Sequence, residues 1–171
     1  NVTDSSTSLF NGLYMAVGTR VVGPDTNAEG MTKAAWTPLS QSSSGTGTAA
    51  DPWIVTTTMY YNADGTAGYN AANDYQVVVQ TVYVSGKGYF TQNVTVTPPS
   101  TNTSAIKWYA AMDTYLGNQD DGTTVSTAIG SNLSAIGATG INGGAGTSVY
   151  IAEAQGSAEF AQYFSGRYNS A

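Results

Sequence analysis

Apolar and polar residues alternate along most of this chain with a period of two, and the apolar positions are rich in β-branched and aromatic types. A period of two sends successive side chains to opposite faces of an extended strand, whereas a helix needs 3.6. The pattern predicts strands over Leu9 to Val17, Met31 to Thr37, Trp53 to Tyr61, Tyr75 to Ser85, Gly88 to Thr97, Ser104 to Leu116 and Thr147 to Ala152. Turn chemistry separates them. Asn62-Ala-Asp-Gly65 combines polar caps with a glycine for positive φ, and Ser85-Gly-Lys-Gly88 closes a hairpin between the strands beside it. In the second strand of that hairpin Phe90, Val94 and Val96 form the core side, and Thr91, Asn93, Thr95 and Thr97 the solvent side. In the next, Ile106, Trp108, Ala110 and Met112 oppose Lys107, Tyr109, Ala111, Asp113 and Tyr115. Such alternation indicates antiparallel sheets packed face to face.

Three stretches read as loops: Pro38 to Pro52, rich in Ser, Gly and Thr; Pro98 to Thr103, opened by a Pro pair; and glycine-dense Gly130 to Gly146. The one helical pattern is Ser157 to Arg167, with Phe160, Tyr163 and Phe164 at i, i+3, i+4 and Ser157 as N-cap. The expected fold is all-β: a single antiparallel β-sandwich of jelly-roll or related type, with one short helix near the C-terminus. A length of 171 residues fits one such domain.

Composition narrows the function. Charged residues make up only 9% of the chain and the net charge is −6. The five cations, Arg20, Lys33, Lys87, Lys107 and Arg167, are scattered. Nucleic-acid binding needs clustered cations, so it is set aside together with anionic membranes. The chain has no Cys and no His, which removes disulfide scaffolds, thiol catalysis, Ser-His-Asp triads and the usual zinc or haem ligands. Its three glutamates, Glu29, Glu153 and Glu159, form no recognisable catalytic pair for glycoside hydrolysis. A non-enzyme is expected. No membrane span or leader segment is seen, and the Asn-Val-Thr start fits a trimmed leader or a piece of a longer chain. A cysteine-free, weakly charged surface of Ser, Thr, Asn and Gly suits secretion by a Gram-positive bacterium or an archaeon. Asn1, Asn93, Asn102 and Asn132 each open an Asn-x-Ser/Thr sequon for glycosylation.

The stretch Gly45-Thr-Gly-Thr-Ala-Ala-Asp-Pro-Trp-Ile-Val-Thr-Thr-Thr58, then Asn93-Val-Thr-Val-Thr97, then Trp108-Tyr-Ala-Ala-Met-Asp-Thr-Tyr-Leu-Gly117 and Asp120-Asp-Gly122 resembles a β-sandwich domain of large secreted bacterial, often actinobacterial, surface proteins. The resemblance covers about residues 45 to 122. Thr114 stands where that family often has Cys. It implies an extracellular sandwich in a surface or adhesive setting, and no catalytic residues.

Five groups of residues offer chemistry or contacts. Asp113, Asn118, Gln119, Asp120 and Asp121 place several hard oxygen donors within one loop, which suits Ca²⁺ at Asp113, Asn118, Asp120 and Asp121, against a plain polar turn. Asn62, Asp64, Asn70, Asn73 and Asp74 form a weaker oxygen cluster that an ordinary turn explains. Tyr109 and Tyr115, flanking Asp113 on one strand face, suit a sugar ring, or a covering sheet. Lys33 and Lys107 sit in strands where an isopeptide crosslink is conceivable. Leu9, Leu13, Met15 and Val17 form an apolar strand behind a polar tail, so residues 1–17 are either an ordinary first strand or one donated to a neighbouring copy. Two functions follow. One is an extracellular subunit of a filament, pilus or similar homopolymer built through strand pairing. The other is an adhesin or carbohydrate-binding module recognising cell-surface glycan.

Overall fold

The computed structural model describes residues 12–24, 31–112, 114, 116, 122–128, 134–141 and 146–152. The described chain is all-β, with strands β1 Gly12–Val17, β2 Arg20–Gly23, β3 Thr32–Ala35, β4 Thr37–Ser44, β5 Trp53–Tyr61, β6 Tyr75–Tyr83, β7 Thr91–Thr97, β8 Ile106–Ala111, β9 Gly122–Ala128, β10 Ser134–Gly140 and β11 Ser148–Ala152. No α-helix occurs among the described residues, and the predicted helix at Ser157 to Arg167 lies outside them. The chain divides into two compact units, Leu13–Tyr109 and Asn1–Gly12 with Ala110–Ala171.

The first unit holds two four-stranded sheets, ordered β3-β2-β1-β8 and β4-β5-β6-β7. β1 pairs antiparallel with β2, β2 pairs parallel with β3, and the β4-β5-β6-β7 sheet is antiparallel throughout. Both sheets feed one core. Met15, Val17 and Val22 from the first sheet cluster with Tyr61 and Tyr75 from the second, and Ala34, Trp36, Val96, Ile106 and Trp108 pack against them. Burying each large apolar side chain contributes about 1.5–3 kcal/mol. The chain crosses between the sheets at a single residue, Trp36, which separates β3 from β4. Its indole packs against Trp108 with ring centroids 6.1 Å apart, and its N–H donates to the Leu13 carbonyl at 3.0 Å. That bond satisfies a polar atom that would otherwise be buried at a cost.

The sequence pattern is corrected at several places. Pro38 to Pro52 is not all loop, because its first half is β4, an edge strand. Serines and threonines tolerate an edge, where one face stays wet, and Pro38 needs no ladder donor there. The register shifts between Pro38 and Ser40, so Leu39 bulges out. Gly130 to Gly146 is also not all loop. It contains β10, whose small residues fit between β9 and β11, with Gly137 opposite Tyr150. The strand ending at Val17 turns straight into β2 through Gly18 and Thr19. Ser104 to Leu116 shortens to β8. Phe90 lies outside β7 and is 59% exposed, not in the core. Val94 and Val96 do alternate inward, as do Ile106 and Trp108, whereas Ala110 is exposed.

The second unit contains a three-stranded antiparallel sheet, ordered β11-β10-β9. Within it Ala135 is buried.

Candidate binding surfaces

The β4–β7 sheet contains no Asp, Glu, Lys or Arg in any of its strands. Cross-strand partners share a face, so its registers define what each face carries. Tyr61 lies opposite Tyr75, Met59 opposite Val77, Thr57 opposite Val79, Val55 opposite Thr81 and Trp53 opposite Tyr83. On the same face β7 adds Val96, Val94 and Gln92, and β4 adds Gln41 beside Thr57 and Ser43 beside Val55. At one end this face is core, with Tyr61 and Tyr75 5% and 8% exposed and stacked at 5.8 Å. At the other end it opens, and Trp53 and Tyr83 are 46% and 37% exposed. Gln41 Nε2 donates to Thr57 Oγ1 at 2.9 Å, and Gln92 Nε2 to Thr81 Oγ1 at 3.2 Å.

Local geometry fixes Trp53. The segment Gly45 to Pro52 folds into the tight β4–β5 connection. Thr46 and Thr48 N–H both donate to the Asp51 carbonyl, each at 3.1 Å, and Ser85 N–H donates to the Gly47 carbonyl at 2.9 Å. Gly47 has φ +83° and lies against the Nε1–Cδ1 edge of the Trp53 indole and against Ser85 Oγ, where a Cβ would collide. The glycines and Asp-Pro of the Gly-Thr-Gly-Thr motif thus have a local structural role: they build this hairpin and seat the indole.

The oxygen cluster at residues 62–74 is a self-contained loop. Buried Asp74 accepts from Ala63 N–H at 2.9 Å and from Asn70 N–H at 2.8 Å. Asn62 Oδ1 accepts from Gly65 N–H at 2.7 Å, with Gly65 at φ +73°. Asp64 accepts from the Thr66 hydroxyl and N–H and from Asn73 Nδ2, which hold its carboxyl down to about 2. Tyr69 packs edge-on to Tyr60 at 5.6 Å. Each of these carboxylates spends its oxygens on the loop itself.

The structure describes only some of the remaining sequence candidates. Tyr109 is 46% exposed on β8, and Tyr115 lies outside the described residues. Asp113, Asn118, Asp120 and Asp121 also lie outside them. Among the described residues no group of three or more acidic, His or Cys side chains could hold a metal, and no helix is long and apolar enough to cross a membrane. Leu13, Met15 and Val17 belong to β1, which lies between β2 and β8 with Met15 fully buried. Leu9 lies outside the described residues. Asn93 is exposed on β7. Asn102 Oδ1 accepts from the Tyr75 hydroxyl at 2.7 Å, and its Nδ2 donates to the Ser104 carbonyl at 3.0 Å. Asn1 and Asn132 lie outside the described residues, and Lys33 and Lys107 are exposed.

Sequence periodicity alone did not single out the Trp53–Tyr83 face. The signal was the shared parity of Trp53, Val55 and Thr57, but the long 62–74 connection hides which β6 residues they meet. Compared with known protein families, curated proteins and solved structures, the chain matches none.

Proposed function

We propose that this chain is an extracellular structural β-sandwich module whose copies assemble by pairing sheet edges, with β7 as the pairing strand. The observation that supports this most is the composition of that edge. β7 ends the β4–β7 sheet and reads Thr-Gln-Asn-Val-Thr-Val-Thr, without charge, proline or bulge. Exposed edges are normally guarded by such features, because a row of unpaired N–H and C=O groups invites another strand. The opposite edge, β4, is guarded by Pro38 and its bulge. Antiparallel pairing of two β7 strands about Val94 sets Thr91 against Thr97 and Asn93 against Thr95, with no like charges facing. Such a two-fold contact closes as a dimer, whereas pairing β7 with a different edge propagates as a filament. Both are assembly through this strand. The proposal uses β7 because it is a sheet edge, whereas β1 lies between β2 and β8.

The extracellular part of the reading rests on the weakly charged surface and the absence of Cys and His. Electron microscopy of native material and sedimentation over a wide concentration range test it. Assemblies that grow with concentration support the reading, and a monomer throughout contradicts it. Calcium at Asp113, Asn118, Asp120 and Asp121 is a separate part of the proposal. Chelation should then lower the melting temperature by several degrees, because an ion bound only by the folded state stabilises it. An unchanged melting temperature would remove calcium from the account.

A further inference from the structure

The open end of the β4–β7 face combines two kinds of group. Trp53 and Tyr83 stand directly opposite each other, both exposed, with half-exposed Val55 in the next row. On the same face Gln92 of β7 lies one row further along, opposite Thr81, and Gln41 of β4 two rows along, opposite Thr57, each using one amide N–H on a threonine hydroxyl. Neither glutamine makes another described hydrogen bond, so each retains a carbonyl oxygen and a second N–H for a partner. From Trp53 to Thr57 the face runs about 13 Å along the strand, and four strands make it about 14 Å wide.

We propose that this face binds a segment of an uncharged polysaccharide, with Trp53 and Tyr83 as the stacking platform and Gln41 and Gln92 as its hydrogen-bonding flanks. A pyranose ring presents C–H bonds on its flat faces and hydroxyls around its rim. The first suit aromatic faces and the second suit amides. An apolar protein patch would match the aromatics but leave the glutamines desolvated without partners. A charged polymer would lose hydration over a sheet that has no counter-charge in any strand. The platform is preorganised, since Gly47 seats the indole edge and Ser85 holds Gly47. A side chain fixed beforehand gives up less entropy on binding. The inference is independent of edge assembly, because it uses the sheet's face and not its rim.

The probes are short oligomers of β-linked glucose, xylose, mannose and N-acetylglucosamine, with oligogalacturonate as the charged control. Titration calorimetry is run on the full chain, together with quenching of tryptophan fluorescence by acrylamide. Trp36 and Trp108 are partly buried against the core, so quencher-accessible emission reports Trp53. At least one neutral oligomer is expected to bind saturably and shield Trp53 from the quencher. Trp53→Ala and Tyr83→Ala should each weaken that binding about tenfold or more. Gln92→Ala should weaken it less, and Tyr109→Ala on β8 not at all. The quenching readout on the unaltered protein decides the matter even if a variant does not fold. The proposal is overturned by no saturable binding to any neutral oligomer, by binding of oligogalacturonate alone, or by binding that survives both aromatic substitutions.

Discussion

Asp74 shows how one residue organises an entire connection. Its carboxylate is buried at 1% exposure and accepts two backbone N–H groups from opposite ends of the 62–74 loop. Asp74→Ala would leave both donors unpaired. It is expected to cost about 3 kcal/mol in denaturant unfolding, with Asp74→Asn costing less because one acceptor remains. Titration adds a second prediction with two limbs. Asp64 has a folded-state pKa near 2 against an ordinary 3.8. Its stabilising contribution is therefore complete above pH 3.8 and lost as pH falls toward 2. At the other limb, burial pushes the Tyr61 phenol above 10, Arg20 pulls it back, and Asp74 adds to the rise. Burial, and then Tyr61, raise Tyr75 likewise. These two tyrosines contribute stability that is present below pH 10 and is lost as pH rises through their folded values. Thermal melts across both limbs should show those losses. Replacing Tyr61 and Tyr75 with Phe should flatten the alkaline loss.

At the scale of elements, legibility followed apolar content. Strands β5, β6, β7 and β8 were readable because β-branched and aromatic residues dominate β5 and β6, valine alternates with threonine in β7, and Ile106 and Trp108 alternate with Lys107 and Tyr109 in β8. β4 was not, because Thr-Pro-Leu-Ser-Gln-Ser-Ser-Ser has the composition of a loop. Its strand conformation comes from pairing with β5, where Gln41 bridges to Thr57. The same holds for β10, whose Gly137 and alanines show little periodicity and are ordered by neighbours on both sides. Propensity is a weak prior where long-range pairing supplies the hydrogen bonds. The two turns read from sequence appear as read. Gly65 and Gly86 take φ of +73° and +84°, and Lys87 N–H closes on the Val84 carbonyl at 3.1 Å. The candidate sites were less legible. In the 62–74 loop, where the sequence suggested an ordinary turn, the side-chain oxygens serve the loop itself. The exposed aromatic pair became visible only through the β5–β6 register. Edge character, too, is invisible in a sequence, since Thr91 to Thr97 would read the same in the middle of a sheet.

At the scale of the whole molecule, low charge is the feature that unites these observations. With 9% charged residues, the protein has few side chains available to guard an edge or repel a copy of itself. The β4–β7 sheet concentrates that property by having no charge in its strands. Edge assembly is then expected to respond to charge placed on β7 and to ignore charge placed on β4. The most direct test is sedimentation velocity on three proteins: the unaltered chain, the Asn93→Lys, Thr95→Lys double variant, and a Ser40→Lys, Ser42→Lys control on the guarded edge. The account predicts concentration-dependent assembly by the unaltered chain and by the β4 control, and a folded monomer for the β7 variant. Assembly that persists in the β7 variant, or an unaltered chain that is monomeric at every concentration, would contradict it.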